Sequence, residues 1–311
     1  MTDKLICPKT HKKLFLSDNG KFYQTDDGKI KYPIEQGVIR FLDQNDDFYE
    51  GAYTATVKWM PKSEKWYHTW LLKFLQSGFL WLVNKNVKKD GYILELGCGG
   101  GVSYFGEKFN MIGLDLSFKS LLHVPEKYII KAQADAAALP LSDASLDAII
   151  SSCFWEHIQV SQKEKMLKEF NRVLKQNGKI IFMYDVVNDN CIINLIKRIN
   201  MNYYTEEFLI KDGHYGYQTW IENEKLFIEN GFKIIEHIGI EKTILQTPSV
   251  YMKLLRMSPK FRYLYAALNW SYKNRLLHFI HILLVALFDK TYGKFISMSK
   301  ARVIQTIAIK N

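Results

Sequence analysis

The sequence predicts an α/β fold: a seven-stranded, doubly wound sheet, with a small β-rich module at its N-terminus and a helical insertion before its last strand. Three observations carry this. The run Ile93-Leu94-Glu95-Leu96 ends in a glycine turn, Gly97-Cys98-Gly99-Gly100-Gly101, and helix-compatible sequence follows. A second apolar run, Met111 to Leu116, has Asp115 near its end. Further strand-like runs then alternate with helical ones, the pattern of parallel strands joined by crossover helices, with ligands outside the carboxyl ends of the strands.

At 311 residues and 48% hydrophobic content, the chain can bury one large core and something smaller. Cys7, Cys98, Cys153 and Cys191 form no C-x-x-C pair, which argues against a disulfide framework or a cysteine zinc site. The first residues lack the apolar stretch of a signal peptide, so a reducing cytoplasm is the expected setting, with membrane association left open by the C-terminal segment.

Residues 1–45 read as the β-rich module. Cys7-Pro8 opens it, Asp18-Asn19-Gly20 and Asp26-Asp27-Gly28 are turn signals, and Tyr32-Pro33-Ile34-Glu35-Gln36-Gly37 leads into an apolar run. Residues 46–90 read as an aromatic-rich helical linker. Trp66, Trp70, Phe74 and Trp81 share one face and suit a lid packed over the pocket.

Residues 91–240 form the expected core. In the glycine turn, Gly97 and Gly99 fit a dinucleotide fingerprint, but Val102 stands where its third glycine belongs. Glu95 lies two residues before the turn and would repel a pyrophosphate. S-adenosylmethionine has no phosphate and carries an ammonium and a sulfonium, so the acid favours it. Asp115 ends the second strand, where a carboxylate can accept ribose hydroxyls; its bland role is to cap the next helix, for which Ser117 is better placed. Ala134-Asp135-Ala136 ends the third strand and suits the adenine amine. The fourth strand runs from about Leu146 to Cys153 and leads into Phe154-Trp155-Glu156-His157. A helix over 161–176 opens on a capping-box pattern, Ser161 to Glu164, and stops at Asn177-Gly178. Residues 179–187 give the fifth strand, 222–230 a helix, and 231–236 the start of the sixth.

This order of motifs resembles the class I S-adenosylmethionine-dependent methyltransferases, most closely the ubiquinone/menaquinone-biosynthesis-like type. The residues that carry the likeness are Glu95 to Gly101, Gly113-Leu114-Asp115-Leu116-Ser117, and Ala134 to Asp147. The resemblance implies a Rossmann-like fold. It also implies that Glu95, Gly97, Cys98, Gly99 and Gly101 line the methionine part, that Asp115 and Leu116 meet the ribose, and that Asp135 and Ala136 meet the adenine. The N-terminal module is similar to the zinc-ribbon-like domain of the tRNA-methyltransferase activator family, without its paired cysteines. Cys7 and His11 supply two ligands where a tetrahedral zinc needs four, so no metal is expected.

The net charge of +10 is unevenly placed. Residues 241–311 hold 8 Lys and 4 Arg against Glu241 and Asp289, and the rest of the chain balances to zero. Residues 241–300 are the expected insertion, and 301–311 the last strand, antiparallel to its neighbours. Leu276 to Phe288 is an apolar run of thirteen residues, short for a bilayer crossing of about 20. Basic and aromatic residues flank it. Three readings stay open: a helical cap, a membrane or lipid-substrate surface across 250–290, and single-stranded RNA binding, the last disfavoured by the aliphatic run. His278 and His281 have no acid nearby and read as packing residues.

Methyl transfer from a sulfonium is an in-line displacement, and an oxygen acceptor then needs a base. His157 and His214 are the candidates with suitable intrinsic pKa, with Glu156, Tyr184, Asp185, Tyr215 and Tyr217 near them. The sequence therefore predicts a methyltransferase of a small or lipid-like acceptor. The alternatives are an RNA methyltransferase and a non-catalytic protein that keeps the fold. The oligomeric state is not written in it.

Overall fold

In the computed structural model, residues 2–45, 49–53 and 74–311 are described. Trp66 and Trp70 of the expected aromatic face lie outside them. Four short strands come first: β1 (Leu14–Leu16), β2 (Phe22–Thr25), β3 (Lys31–Glu35) and β4 (Val38–Arg40). They form antiparallel hairpins, and the two signalled turns carry Gly20 and Gly28 in the left-handed region. Cys7 is buried with its sulfur 3.1 Å from the Tyr32 hydroxyl, and His11 is exposed at the turn.

Helix α1 (Phe79–Asn86) leads to β5 (Tyr92–Leu96), followed by α2 (Ser103–Lys108), β6 (Asn110–Asp115), α3 (Phe118–Leu121), β7 (Ile130–Gln133) and β8 (Leu146–Ser152). Then come α4 (Val160–Val173), β9 (Leu174–Asp185), α5 (Cys191–Ile199), α6 (Met201–Tyr204), α7 (Trp220–Glu229) and β10 (Phe232–Ile240). Helices α8 (Pro248–Arg256), α9 (Arg262–Lys273) and α10 (Arg275–Lys290) precede β11 (Val303–Lys310).

The strands make one sheet in the order β1-β2-β3-β4-β7-β6-β5-β8-β9-β11-β10. The last seven are the expected doubly wound sheet, with β11 antiparallel to both β9 and β10. The N-terminal strands do not stand apart. β4 pairs parallel with β7, Ile39 opposite Ala132, and extends the core sheet. Its run of β-branched residues satisfies the otherwise open edge of β7.

Three local expectations differ. Helix α4 ends at Val173 rather than at Asn177-Gly178, because Leu174 pairs with Leu146 and the chain is already strand there. Its N-cap is Gln159 with no side-chain cap, so Ser161 and Glu164 form no capping box; the box falls at Thr219 and Glu222, opening α7. Finally, the apolar segment is longer than thirteen residues: α10 runs to Lys290 and a tight helical turn over Tyr292–Phe295 follows, and Leu276–Phe295 together, 20 residues, is long and apolar enough by length and composition to cross a bilayer.

The core has two sides. On one, Trp155 stacks on Phe227 and tilts against Phe170 and Phe182. On the other, Leu82 and Val83 of α1 and Phe105 of α2 are buried. A satellite cluster of Ile193, Ile196, Tyr204, Phe208 and Val250 packs α5, α6 and the segment after α6 against α8, the first helix of the insertion.

Candidate active site

A cavity of about 470 Å³ opens at the carboxyl ends of β5 to β8. Glu95, Gly97, Cys98, Gly99, Gly101, Asp115, Leu116, Asp135 and Ala136, the nine residues expected at a cofactor, all line it. His157 is on the same wall. His214 stands behind it, with ring centroids 5.3 Å apart.

The glycine loop is shaped by what presses on it. Gly97 has φ 57°, and a Cβ there would meet the Phe154 ring at 2.6 Å. Gly101 has φ 67° and lies against Pro125 and Tyr128. Both positions need a residue that tolerates the left-handed region and leaves no bulk. Tyr128 donates to a carboxylate oxygen of Glu95 and accepts the Val102 N–H at 2.9 Å, so one phenol holds the acid and the loop together. Burial and the Glu95 charge push that phenol's pKa well above its ordinary value.

Asp115 accepts the Gly99 N–H and the Ser117 N–H, each at 2.8 Å, one on each oxygen. Each oxygen keeps a further lone pair for a ligand. Burial raises the pKa of this carboxyl. The helix α3 cap is Ser117, as the sequence suggests, reinforced by Glu50, whose Oε1 accepts the Phe118 N–H at 2.6 Å. Tyr49 beside it lines the cavity. Asp135 accepts the Ala137 N–H at 2.8 Å through one oxygen. Three acids on an otherwise mostly apolar wall suit a ligand carrying positive charge and hydroxyl groups, and oppose a pyrophosphate.

The far end of the cavity is built where β8 stops. Cys153 turns the chain with φ 56°, unusual outside glycine and concentrated at functional sites. Trp155–His157 then makes one tight helical turn. The loop 213–218 is clamped onto this turn. The Gly216 N–H donates to the Glu156 carbonyl at 2.9 Å, and a side chain at Gly216 would run into the Ile158 carbonyl. Lys163 of α4, fully buried, donates to the Gly216 carbonyl at 2.8 Å, the Gln218 amide oxygen at 3.0 Å and Asn223 at 3.2 Å, with its ammonium over the Trp155 ring. Burial draws its pKa down to about 7.

This clamp brings His214 to His157. His157 Nδ1 lies 3.0 Å from the Gly213 carbonyl, and the His214 ring stacks on Tyr217. Burial lowers the pKa of both imidazoles, favouring the neutral form. Glu156 is buried beside them, and desolvation with the nearby Asp185 pushes its carboxyl up to about 8. Asp185 pairs with Arg302 at 2.7 Å, and Arg302 forks onto both oxygens of Glu241 at 2.8 Å, tying the ends of β9 and β10 to the start of β11. Tyr184 turns away into the core and meets Thr306, and Tyr215 is exposed.

Tyr128, Glu50, Tyr49, Met166, Ser120, His123 and Lys163 are among the site residues that the sequence did not single out. Tyr128 is 33 residues from Glu95 along the chain, and no motif marks it.

Comparisons agree with this geometry. A family model described as a methyltransferase domain matches residues 94–182, from β5 into β9. An uncharacterised Methanocaldococcus jannaschii protein is 28% identical over 221 residues, 68% of this chain and 91% of that one. An uncharacterised Haemophilus influenzae protein is 30% identical over 183 residues, 53% of this chain and 68% of that one. Haemonchus contortus phosphoethanolamine N-methyltransferase 2, solved with S-adenosyl-L-methionine, has a TM-score of 0.52 at 16% identity, covering 90% of this chain and 62% of that one, so this chain spans under two thirds of its length. The solved complex of the Haloferax volcanii Trm112 methyltransferase activator with its partner protein gives 0.51 at 14% identity, covering 86% of this chain and 99% of the matched one. The structural likenesses show a shared fold. Fold and domain together define a class I S-adenosylmethionine-dependent methyltransferase. Within that class, the chain belongs to the family of the Haemophilus influenzae protein.

Proposed function

We propose that this methyltransferase acts on a lipid-like or other small acceptor presented at a membrane surface. The observation that carries the reading is the outer face of α9 and α10. Tyr263, Leu264, Trp270, Leu276, Ile280 and Leu284 are all exposed there, far more apolar surface than a soluble face needs. Exposed Lys260, Arg262, Lys273, Lys290 and Lys294 surround it, the arrangement of an interfacial helix at anionic lipid. The opposite side of α10 is tied to the core. His281 Nε2 is 2.6 Å from the Gln246 carbonyl, and Asp289 accepts the Glu241 and Lys242 N–H groups. A helix bound along one side in this way lies on a surface rather than crossing it, despite its length.

At the site, Glu95, Asp115 and Asp135 are the residues assigned to the ammonium, ribose and adenine of the cofactor, with the glycine loop and Leu116, Cys98 and Ala136 as its walls. When bound, the cofactor supplies the activated methyl. Neutral His157 and His214 are the candidate proton acceptors for a hydroxyl acceptor. The N-terminal module reads as a built-in relative of the activator domain, and the cytoplasmic face of a membrane is the proposed location.

The experiment is transfer of labelled methyl from S-adenosylmethionine in the presence of anionic vesicles, total lipid extract, polar metabolites or RNA. Label is expected in the lipid or small-molecule fraction, with the protein co-sedimenting with anionic vesicles. Label in RNA, with vesicle binding absent, would sink the reading in favour of the RNA alternative.

A further inference from the structure

We propose that Glu156, His157 and His214 form a binding site for a divalent transition-metal ion at the acceptor end of the cavity. The inference rests on the methyl-transfer reading and deepens it: the ion would recruit an acceptor through its oxygen donors.

The three side chains converge from two separate segments of the chain. One ligand-type atom from each of the three residues lies within 4.8 Å of the other two, a span that a single ion bridges at ordinary Zn–N and Zn–O lengths of about 2.0–2.2 Å after small adjustment. Glu156 is 2% exposed, yet its Oε2 has no hydrogen-bond partner among the described residues. His214 Nδ1 is buried and likewise without one. Buried polar atoms are normally satisfied, so two orphans in one cluster call for a group that satisfies both. A metal ion does this, and it also offsets the charge of a carboxylate held near a second one, Asp185.

The surroundings are those of a held site. The Gly213 carbonyl beside His157 Nδ1 is the kind of backbone contact that fixes the plane of a ligating imidazole, and Tyr217 stacks on the ring of His214. The clamp of Lys163 on Gly216 fixes the loop that carries His214. Two nitrogens and one carboxylate oxygen suit Zn²⁺, Fe²⁺ or Co²⁺ over Ca²⁺ or Mg²⁺, and three protein ligands leave positions open. Because His157 is on the cavity wall, a hydroxyl ligand could reach such an ion. Bound there, the hydroxyl would lose its proton to solvent water more readily, with the imidazoles as ligands rather than bases. The sequence shows this site poorly, since Glu156-His157 and His214 are far apart in the chain and no zinc motif spans them.

The test is titration of the full chain, stripped with chelator, by Zn²⁺ in a calorimeter and by Co²⁺ in the visible spectrum. One equivalent is expected, with visible bands of low-symmetry Co²⁺. Glu156→Gln and His214→Ala should each weaken binding at least tenfold, while Cys153→Ser, which removes the nearest thiol, should not. Wild-type binding no tighter than in both variants, or binding lost only in Cys153→Ser, overturns the site and leaves bridging water as the occupant. S-adenosylmethionine calorimetry on the same samples separates the two ideas. Cofactor binding without metal binding removes the metal site alone; loss of cofactor binding in the wild type removes the methyl-transfer reading.

Discussion

Tyr128 holds Glu95 and the Val102 N–H with a single oxygen, locking the acid of the first strand to the loop that follows it. The phenol sits before β7, so the shape of the glycine loop depends on a residue contributed by a distant connection. Tyr128→Phe would leave a buried carboxylate oxygen and a backbone donor without this partner. A loss of about 1–3 kcal/mol in stability is expected from urea unfolding. Calorimetry should show cofactor affinity falling about tenfold; affinity unchanged would mean that Glu95 is not positioned by this bond.

Asp115→Asn keeps the size of the side chain and removes its charge. It can still accept from one of Gly99 and Ser117, but it presents an amide where ribose hydroxyls would donate. Cofactor binding should weaken by about tenfold or more, with a stability loss of about 1–3 kcal/mol from the one N–H left facing the amide; Asp115→Ala, which removes both acceptors, should cost more stability. Stability lost with cofactor affinity unchanged would make Asp115 a structural residue only.

Gly97→Ala combines left-handed backbone with a contact to Phe154. The strain is of order 1–3 kcal/mol. A folded protein with unaltered cofactor affinity would show that Phe154 moves aside at no consequence.

Arg302→Met removes the cation that lies between Asp185 and Glu241 and leaves two mostly buried acids facing each other. Breaking such a network from one side costs about 3–5 kcal/mol, so urea midpoints should fall sharply. Returning the network to its original net charge with Glu241→Gln in the same chain should recover part of the loss; no recovery would show that packing of the Arg302 stem matters more than its charge.

Lys163 gives a pH dependence. Its folded pKa, about 7, lies below the ordinary 10.5, so between those values the unfolded chain binds more protons than the folded one. Stability from this group therefore rises from pH 7 towards pH 9. Glu156, raised to about 8, works in the opposite direction up to that pH, so the test is the difference: between pH 7 and 9 the urea midpoint should rise more, or fall less, in the wild type than in Lys163→Met. Parallel slopes would show that its three acceptors and the Trp155 face keep the ammonium charged throughout.

That the residues expected at a cofactor would line one cavity was legible in the sequence, because each lies at or near a strand end. Glu95, Asp115 and Asp135 each end a strand, and in a parallel sheet all strand ends converge on one edge. The acceptor half was not. His157 and His214 read as separate candidates, and their meeting depends on Lys163 reaching Gly216 and on a glycine that lets the loop touch Ile158. The boundary of α4 was misread for a similar reason: Asn177-Gly178 has the chemistry of a helix stop, but pairing of Leu174 with Leu146 had already ended the helix. The insertion's charge was plain, whereas the extent of its last helical segment was not, since α10 carries on past the apolar run to Lys290 and a tight turn over Tyr292–Phe295 follows it.

The parallel pairing of β4 with β7 also imposes an order of events during synthesis. The hairpins of β1 to β4 can close as soon as they leave the ribosome, but the free side of β4 has no partner until Ala132 has emerged, some 90 residues after Ile39. At about 5–20 residues per second, the first-made strands wait on the order of 5–20 s with one backbone edge open. During that interval the nascent chain offers an edge that a chaperone, or another copy of itself, could engage. Nascent chains arrested with Ala132 still inside the ribosome and with it well outside should therefore differ in protease protection of residues 38–40, with protection arriving only in the longer one.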